Sequence, residues 1–173
     1  MNPETTTPRS TFDDVNPPKM STGLNILTIL SIIGCVIQIV GSLWGFTTAK
    51  KSYDEKDKMI EQMKSEDMPE FAKKMMGNPD DYVELITKNY ENRLPILLLG
   101  LVAAGLCLYG VLQMRKLKKQ GYTLYVIGEL LPFVTMGLFI GGVAFSGFGF
   151  MVGAGIAVLF ILLYTVMRKQ LVY

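Results

Sequence analysis

Histidine is absent from all 173 residues. Its absence removes haem held by imidazole, imidazole-containing metal sites and catalytic triads built on a histidine base. Only two cysteines occur, Cys35 and Cys107, with no CxxC spacing. Both fall within apolar runs, so they read as buried small residues rather than a disulfide or redox pair. Charge is also scarce, at 18% of residues against roughly a quarter in soluble proteins. There is no P-loop, GxSxG, HExxH or dinucleotide fingerprint, and no pair of acids inside an apolar run. No enzymatic role is therefore expected, and neither a metal nor a cofactor. The net charge of +2 comes without a basic surface interleaved with aromatics, so nucleic acid is not an expected partner.

What the chain does have is length of apolar sequence. Half of its residues are hydrophobic, and four runs approach or exceed the roughly 20 residues needed to cross a hydrocarbon core about 30 Å thick. They are 24-48, 94-113, 122-145 and 148-167. None alternates polar and apolar residues as a barrel wall does. Backbone groups in lipid must be satisfied within the segment, so the runs are expected to be helices. The fold class is all-α: a polytopic membrane protein whose main partner is the lipid bilayer, with four transmembrane helices and a small helical extracytoplasmic cap between the first two. The stretch 1-23, with Pro3, Pro8, Pro17 and Pro18, reads as a flexible tail rather than a signal peptide.

Orientation follows from positive charge near helix ends. The loop 114-121 carries Arg115, Lys116, Lys118 and Lys119 with no acid, which places it in the cytoplasm. Both termini then share that side, in agreement with Arg9, Lys19, Arg168 and Lys169, including the short tail 168-173. The block 49-93 would be extracytoplasmic although it carries more bases than the proposed inside. Its acids outnumber those bases, and long loops translocate largely regardless of charge.

Within that block the spacing predicts helices. Met59, Ile60 and Met63 share one face, and helix one is expected to continue outward through them. Asp67-Met68-Pro69-Glu70 resembles a capping box opening a short helix that stops at Gly77. Asn78-Pro79-Asp80-Asp81 opens another, with Tyr82, Ile86 and Tyr90 on its face. Met59, Met63, Met68, Met75 and Met76 are read first as packing residues; a surface for a protein partner and a soft copper(I) site are the alternatives.

Small residues spaced by four mark close helix approaches. Gly41 and Gly45, Gly100 and Ala104, Gly137 and Gly141, and Gly149 and Gly153 have that spacing. They are read mainly as seams within the bundle, with one face able to serve a homo-oligomer or a larger complex.

One acid interrupts an apolar run. Glu129 lies seven residues past Tyr122, roughly 10 Å along a helix axis. A charged carboxyl facing lipid would cost on the order of a few kcal/mol, so Glu129 should face the bundle, be protonated or reach a partner. The candidates are Tyr125 one turn earlier, Gln38 of helix one, and the basic loop. Pro132 lacks an N–H and leaves the Gly128 carbonyl without its usual partner, so a kink is expected beside the acid. Glu129, Gln38, Tyr125 and Pro132 form the candidate polar site, either structural or a proton or cation relay.

The segment MRKLKKQGYTLYVIGELLP, a basic loop followed by glycine, aromatics and an acid before proline, resembles the helix 2-3 junction of small four-helix inner-membrane proteins of Bacteroidota that have no assigned activity. The similarity spans about 20 of the 173 residues. It implies a bacterial inner-membrane location and brings no catalytic residue with it. Two functions follow from these readings: a non-enzymatic accessory or scaffold subunit acting on other membrane proteins or its own copies, or a small transporter or proton-coupled channel centred on Glu129.

Overall fold

The computed structural model describes residues 19-65, 69-71, 78-145 and 147-173. Every regular element among them is helical, and four helices are long and apolar enough to cross a membrane. Helix α1 covers Thr22–Asp54. Ser21 begins it by accepting the Leu24 N–H on its hydroxyl at 3.2 Å, which satisfies one of the free amides of the first turn. At 33 residues α1 is about 50 Å long, more than a hydrocarbon core needs. It continues beyond Thr48 but ends at Asp54 rather than running on through Met59, Ile60 and Met63, which belong to a separate helix.

Helix α2, Lys56–Lys64, and helix α3, Pro79–Glu91, form the polar cap. Asn78 precedes α3, Pro79 occupies its first turn, and Asp80 and Asp81 sit at the positive end of its dipole. Within the cap Met63 and Ile86 are buried and the Tyr82 hydroxyl donates to Met59 Sδ at 3.7 Å, joining α3 to α2. Tyr90 stacks on Tyr53 of α1 with centroids 4.6 Å apart and holds the cap to the bundle. Met59 and Met63 thus stand where helices meet. The capping box at 67-70, the helix expected to follow it, Met68, Met75 and Met76 fall largely or wholly outside the described residues, as does most of the tail 1-23.

Helix α4 is Arg93–Arg115, α5 is Gln120–Phe139 and α6 is Phe148–Met167. The third apolar run does not stay helical to 145 as expected. Helix α5 ends at Phe139 because Gly141 takes φ +83°, a left-handed conformation that glycine alone adopts cheaply, and its N–H closes back on the Met136 carbonyl at 3.0 Å. A 3₁₀ turn, Gly142–Phe145, follows. Asn92, between α3 and α4, donates to the Lys88 carbonyl at 3.0 Å and the Phe139 carbonyl at 3.2 Å, which ties the cap to the end of α5.

Helices α4 and α5 are the most closely packed pair. Their seam is made of Gly110, Gly121 and Gly128, all buried. A methyl group at Gly121 would lie 2.5 Å from the Gly110 carbonyl oxygen, and one at Gly128 would lie 2.6 Å from Cys107 Sγ. Of the small-residue pairs read from spacing, Gly100 and Ala104 do sit inside: Gly100 faces the Ser42 hydroxyl of α1 and Ala104 is buried. Gly137 meets only the edge of the Phe145 ring. Gly41, Gly45, Gly149 and Gly153 correct the expectation of internal seams. They are exposed, and a methyl group added at any of them would meet no heavy atom within 4 Å, because Gly41 and Gly45 border an open cavity and Gly149 and Gly153 lie on an uncovered face of α6.

The basic-loop end is laced together. Leu117, at φ 57°, accepts the Val172 and Tyr173 N–H groups at 2.9 and 3.1 Å, and the Lys119 N–H reaches the Tyr173 carbonyl. The Ser21 hydroxyl donates to Gln170 Oε1, so the start of α1 and the turn after α6 meet. Leu24, Leu27, Val111, Met114, Leu117 and Leu171 fill the core at this end.

Candidate polar site inside the bundle

Ser31, Cys35, Gln38 and Ser42 recur at four, seven and eleven residues along α1, which puts four polar or soft side chains in one stripe of an otherwise apolar helix. The lower part of that stripe meets polar residues from each of the other spans. Cys107 comes from α4, Tyr125 and Glu129 from successive turns of α5, and Tyr164 from α6. Ser31, Cys35, Cys107, Tyr125 and Tyr164 are buried, Tyr164 to 1% exposure, and Glu129 is half-buried.

The contacts are specific. The Cys107 thiol lies 3.5 Å from Glu129 Oε2 and 3.7 Å from the Tyr125 carbonyl oxygen, and its one S–H is shared between them. The Tyr164 hydroxyl donates to Ser31 Oγ at 2.9 Å, joining α6 to α1. The Tyr125 and Tyr164 rings are tilted at 58° with centroids 4.7 Å apart. Tyr125 has both Ser31 and Glu129 as side-chain neighbours, and Cys35 has Cys107. The two cysteines are free thiols, placed side by side by α1 and α4. The bundle therefore surrounds one carboxyl with thiol and phenol donors, an arrangement able to hold a proton or stabilise the acid within a dry interior.

Of the four residues singled out from sequence, Tyr125 and Glu129 come together. Gln38 does not reach the acid: it lies past Cys35 on α1 and lines a separate cavity, as does Pro132. The helix runs on through Pro132 to Phe139, and the Thr135 hydroxyl donates to the Leu131 carbonyl at 2.9 Å. Arg115, Lys116, Lys118 and Lys119 are exposed, and none is paired with Glu129 among the described residues. Ser31, Cys35, Cys107 and Tyr164 join the site without having been expected there from sequence; the four-residue stripe on α1 is the signal that could have found the first two.

Removing the acceptor should be measurable. Glu129→Leu removes the carboxyl acceptor while the Cys107 thiol keeps the Tyr125 carbonyl, so the loss expected is that of a hydrogen bond rather than of an orphaned donor, about 0.5–1.5 kcal/mol. Glu129→Gln keeps an acceptor oxygen and should lose less. Unfolding of the purified protein in mixed detergent and dodecyl sulfate micelles reads both.

Comparison with known protein families, curated proteins and solved structures finds no match to this chain.

Proposed function

We propose that this chain is a non-enzymatic accessory or scaffold subunit of a bacterial inner membrane, acting through helix packing and through its cap on other membrane proteins or on its own copies. In this reading the basic loop and both termini are cytoplasmic and the cap is extracytoplasmic. The observation that carries it is the outward placement of Gly149 and Gly153 on α6, with Gly155 beside them, all exposed and open to 4 Å. Exposed glycines on a membrane helix leave a shallow track into which another helix can pack its backbone closely. Helix α6 buries only Ala157 and Tyr164 within the chain, so most of its surface is free for such a contact.

Crosslinking in native membranes, followed by identification of neighbours, tests the proposal. The wild-type chain should give a discrete adduct with a partner or with itself, and Gly149→Ile with Gly153→Ile should abolish it without reducing the amount of inserted protein. A chain that purifies only as a monomer, with no adduct, overturns the reading.

The carboxyl at Glu129 supports a second reading, a small transporter or proton-coupled channel. Liposomes loaded with an ion-sensitive dye decide it: flux that is equal in wild type and Glu129→Gln removes this alternative.

A further inference from the structure

At the cap end the bundle does not close. A cavity of about 410 Å³ lies between α1, α3, α4 and α5, within the range of roughly 300–1,000 Å³ typical of small-molecule sites. It is separate from the Glu129 cluster: its lining includes Gln38, Asn89 and Arg93 but not Glu129. Along α1 it runs from Gln38 to Phe46, about 12 Å at 1.5 Å per residue. Gly41 and Gly45 form part of its wall and are exposed, so the cavity opens sideways at the level of the spans, while Leu85 and Asn89 of α3 cover it from the cap.

Its chemistry is uneven in a way that defines an occupant. Arg93, half-buried at the first position of α4, has its guanidinium 5.5 Å from the Phe46 ring centroid and 4.8 Å from that of Tyr90. Among the described residues the one ion pair is Lys88 with Glu84, so Arg93 has no carboxylate partner there. Ring stacking leaves the guanidinium edge, with its fork of N–H donors, available for a phosphate. Asn89 adds an amide one turn before Arg93. Away from this end the lining is mostly apolar, from residues such as Leu97 and Ile140. The hydroxyls of Ser42 and Thr135 are taken up by carbonyls of their own helices, which leaves Gln38 as the polar group at the far end.

We propose that this cavity is a binding site for an anionic phospholipid, with the phosphate held by Arg93 and Asn89 and an acyl chain lying along α1 toward Gln38. The charge favours an anion and the apolar length favours a chain. The lateral opening past Gly41 and Gly45 favours a ligand delivered by the bilayer over one arriving through water. The site is independent of the scaffold reading above, since none of its residues lies on α6.

Native mass spectrometry of the detergent-purified protein tests it, with phosphatidylglycerol and phosphatidylcholine of identical acyl chains added in turn. The wild type should retain phosphatidylglycerol at least tenfold better than phosphatidylcholine. Arg93→Gln should bring the two within about twofold, and Gly45→Leu, which fills the lateral opening, should reduce retention of both. If Arg93→Gln does not purify, Asn89→Ala reads the same headgroup contact, and a several-fold loss of phosphatidylglycerol retention is expected. Equal retention of the two lipids by wild type, or an undiminished preference in the Arg93 or Asn89 variant, overturns the proposal. Retention of oleate but not of phosphatidylglycerol likewise overturns it in favour of a fatty-acid site.

Discussion

Gly121→Ala is expected to destabilise the protein more than any other single methyl addition on α5. The new Cβ would lie 2.5 Å from the Gly110 carbonyl oxygen, 2.7 Å from the Met114 amide nitrogen and 2.8 Å from Met114 Cγ. Two of these atoms are backbone, so no side chain can swing aside and the two helices must separate. Overpacking of a well-packed interior costs typically about 1–3 kcal/mol, occasionally more, and backbone-limited contact puts this substitution at or above the upper figure. Gly105→Ala is the control. Gly105 is exposed on α4 with nothing within 4 Å, so a methyl there meets no atom and removes the helix penalty of glycine, about 1 kcal/mol in water. Unfolding midpoints in dodecyl sulfate titrations should therefore move in opposite directions or leave Gly105→Ala unchanged. Equal losses at the two positions would mean that the α4–α5 seam is not as close as described.

Tyr164→Ala should be at least as damaging, and its effect should be localised. Tyr164 is one of the largest fully buried side chains, it donates to Ser31 and it lies against Tyr125. Truncating a buried aromatic to alanine costs about 3–5 kcal/mol in protein interiors. Because Ala157 is the other buried residue of α6, the loss falls on the attachment of that one helix. Tyr164→Phe keeps the ring and removes only an interhelical hydrogen bond, which in membrane proteins averages about 0.6 kcal/mol. A cysteine placed on the inward face, as in Ala157→Cys, should become rapidly alkylated in the Tyr164→Ala background and stay protected in the Tyr164→Phe background. Equal protection in both would show that other contacts hold α6.

The four spans are legible because the bilayer makes a strong demand on sequence: each run must be long, apolar and able to satisfy its own backbone. The end of the third is not. Apolar residues continue through Phe145, and only the backbone conformation of Gly141 shows that the helix stops at Phe139. Apart from Gly100 and Ala104, spacing by four finds mostly glycines that face outward, whereas the tight seam uses Gly121 and Gly128, seven apart, against Gly110 on the facing helix. A seven-residue interval keeps two residues on the same face as surely as a four-residue one does, and here it marks the seam. Glu129 and Tyr125 are legible as a costly acid and its neighbour on one helix. The partners from other helices are not, because the register that sets Cys107 beside Glu129 and Tyr164 beside Ser31 depends on packing. Gln38, the most polar residue elsewhere in the spans, is drawn to the acid by polarity alone; its place seven residues after Ser31 puts it farther along α1, beside the cavity.

The contacts that close the basic-loop end also set an order of assembly. Helices α4 and α5 are joined by a short loop, and their glycine seam can form once those two spans are inserted. The bond between Tyr164 and Ser31 spans 133 residues of chain, and the one between Ser21 and Gln170 spans 149. Neither can exist until α6 has left the ribosome and entered the membrane. Until then α1 holds Ser31 without Tyr164, and its start lacks Gln170. A chain paused or cut before α6 would therefore be a three-helix core, with α1 already packed on α4, whose polar site still lacks Tyr164. The closing step joins α1 to α6, so the polar site is completed only once α6 is in place.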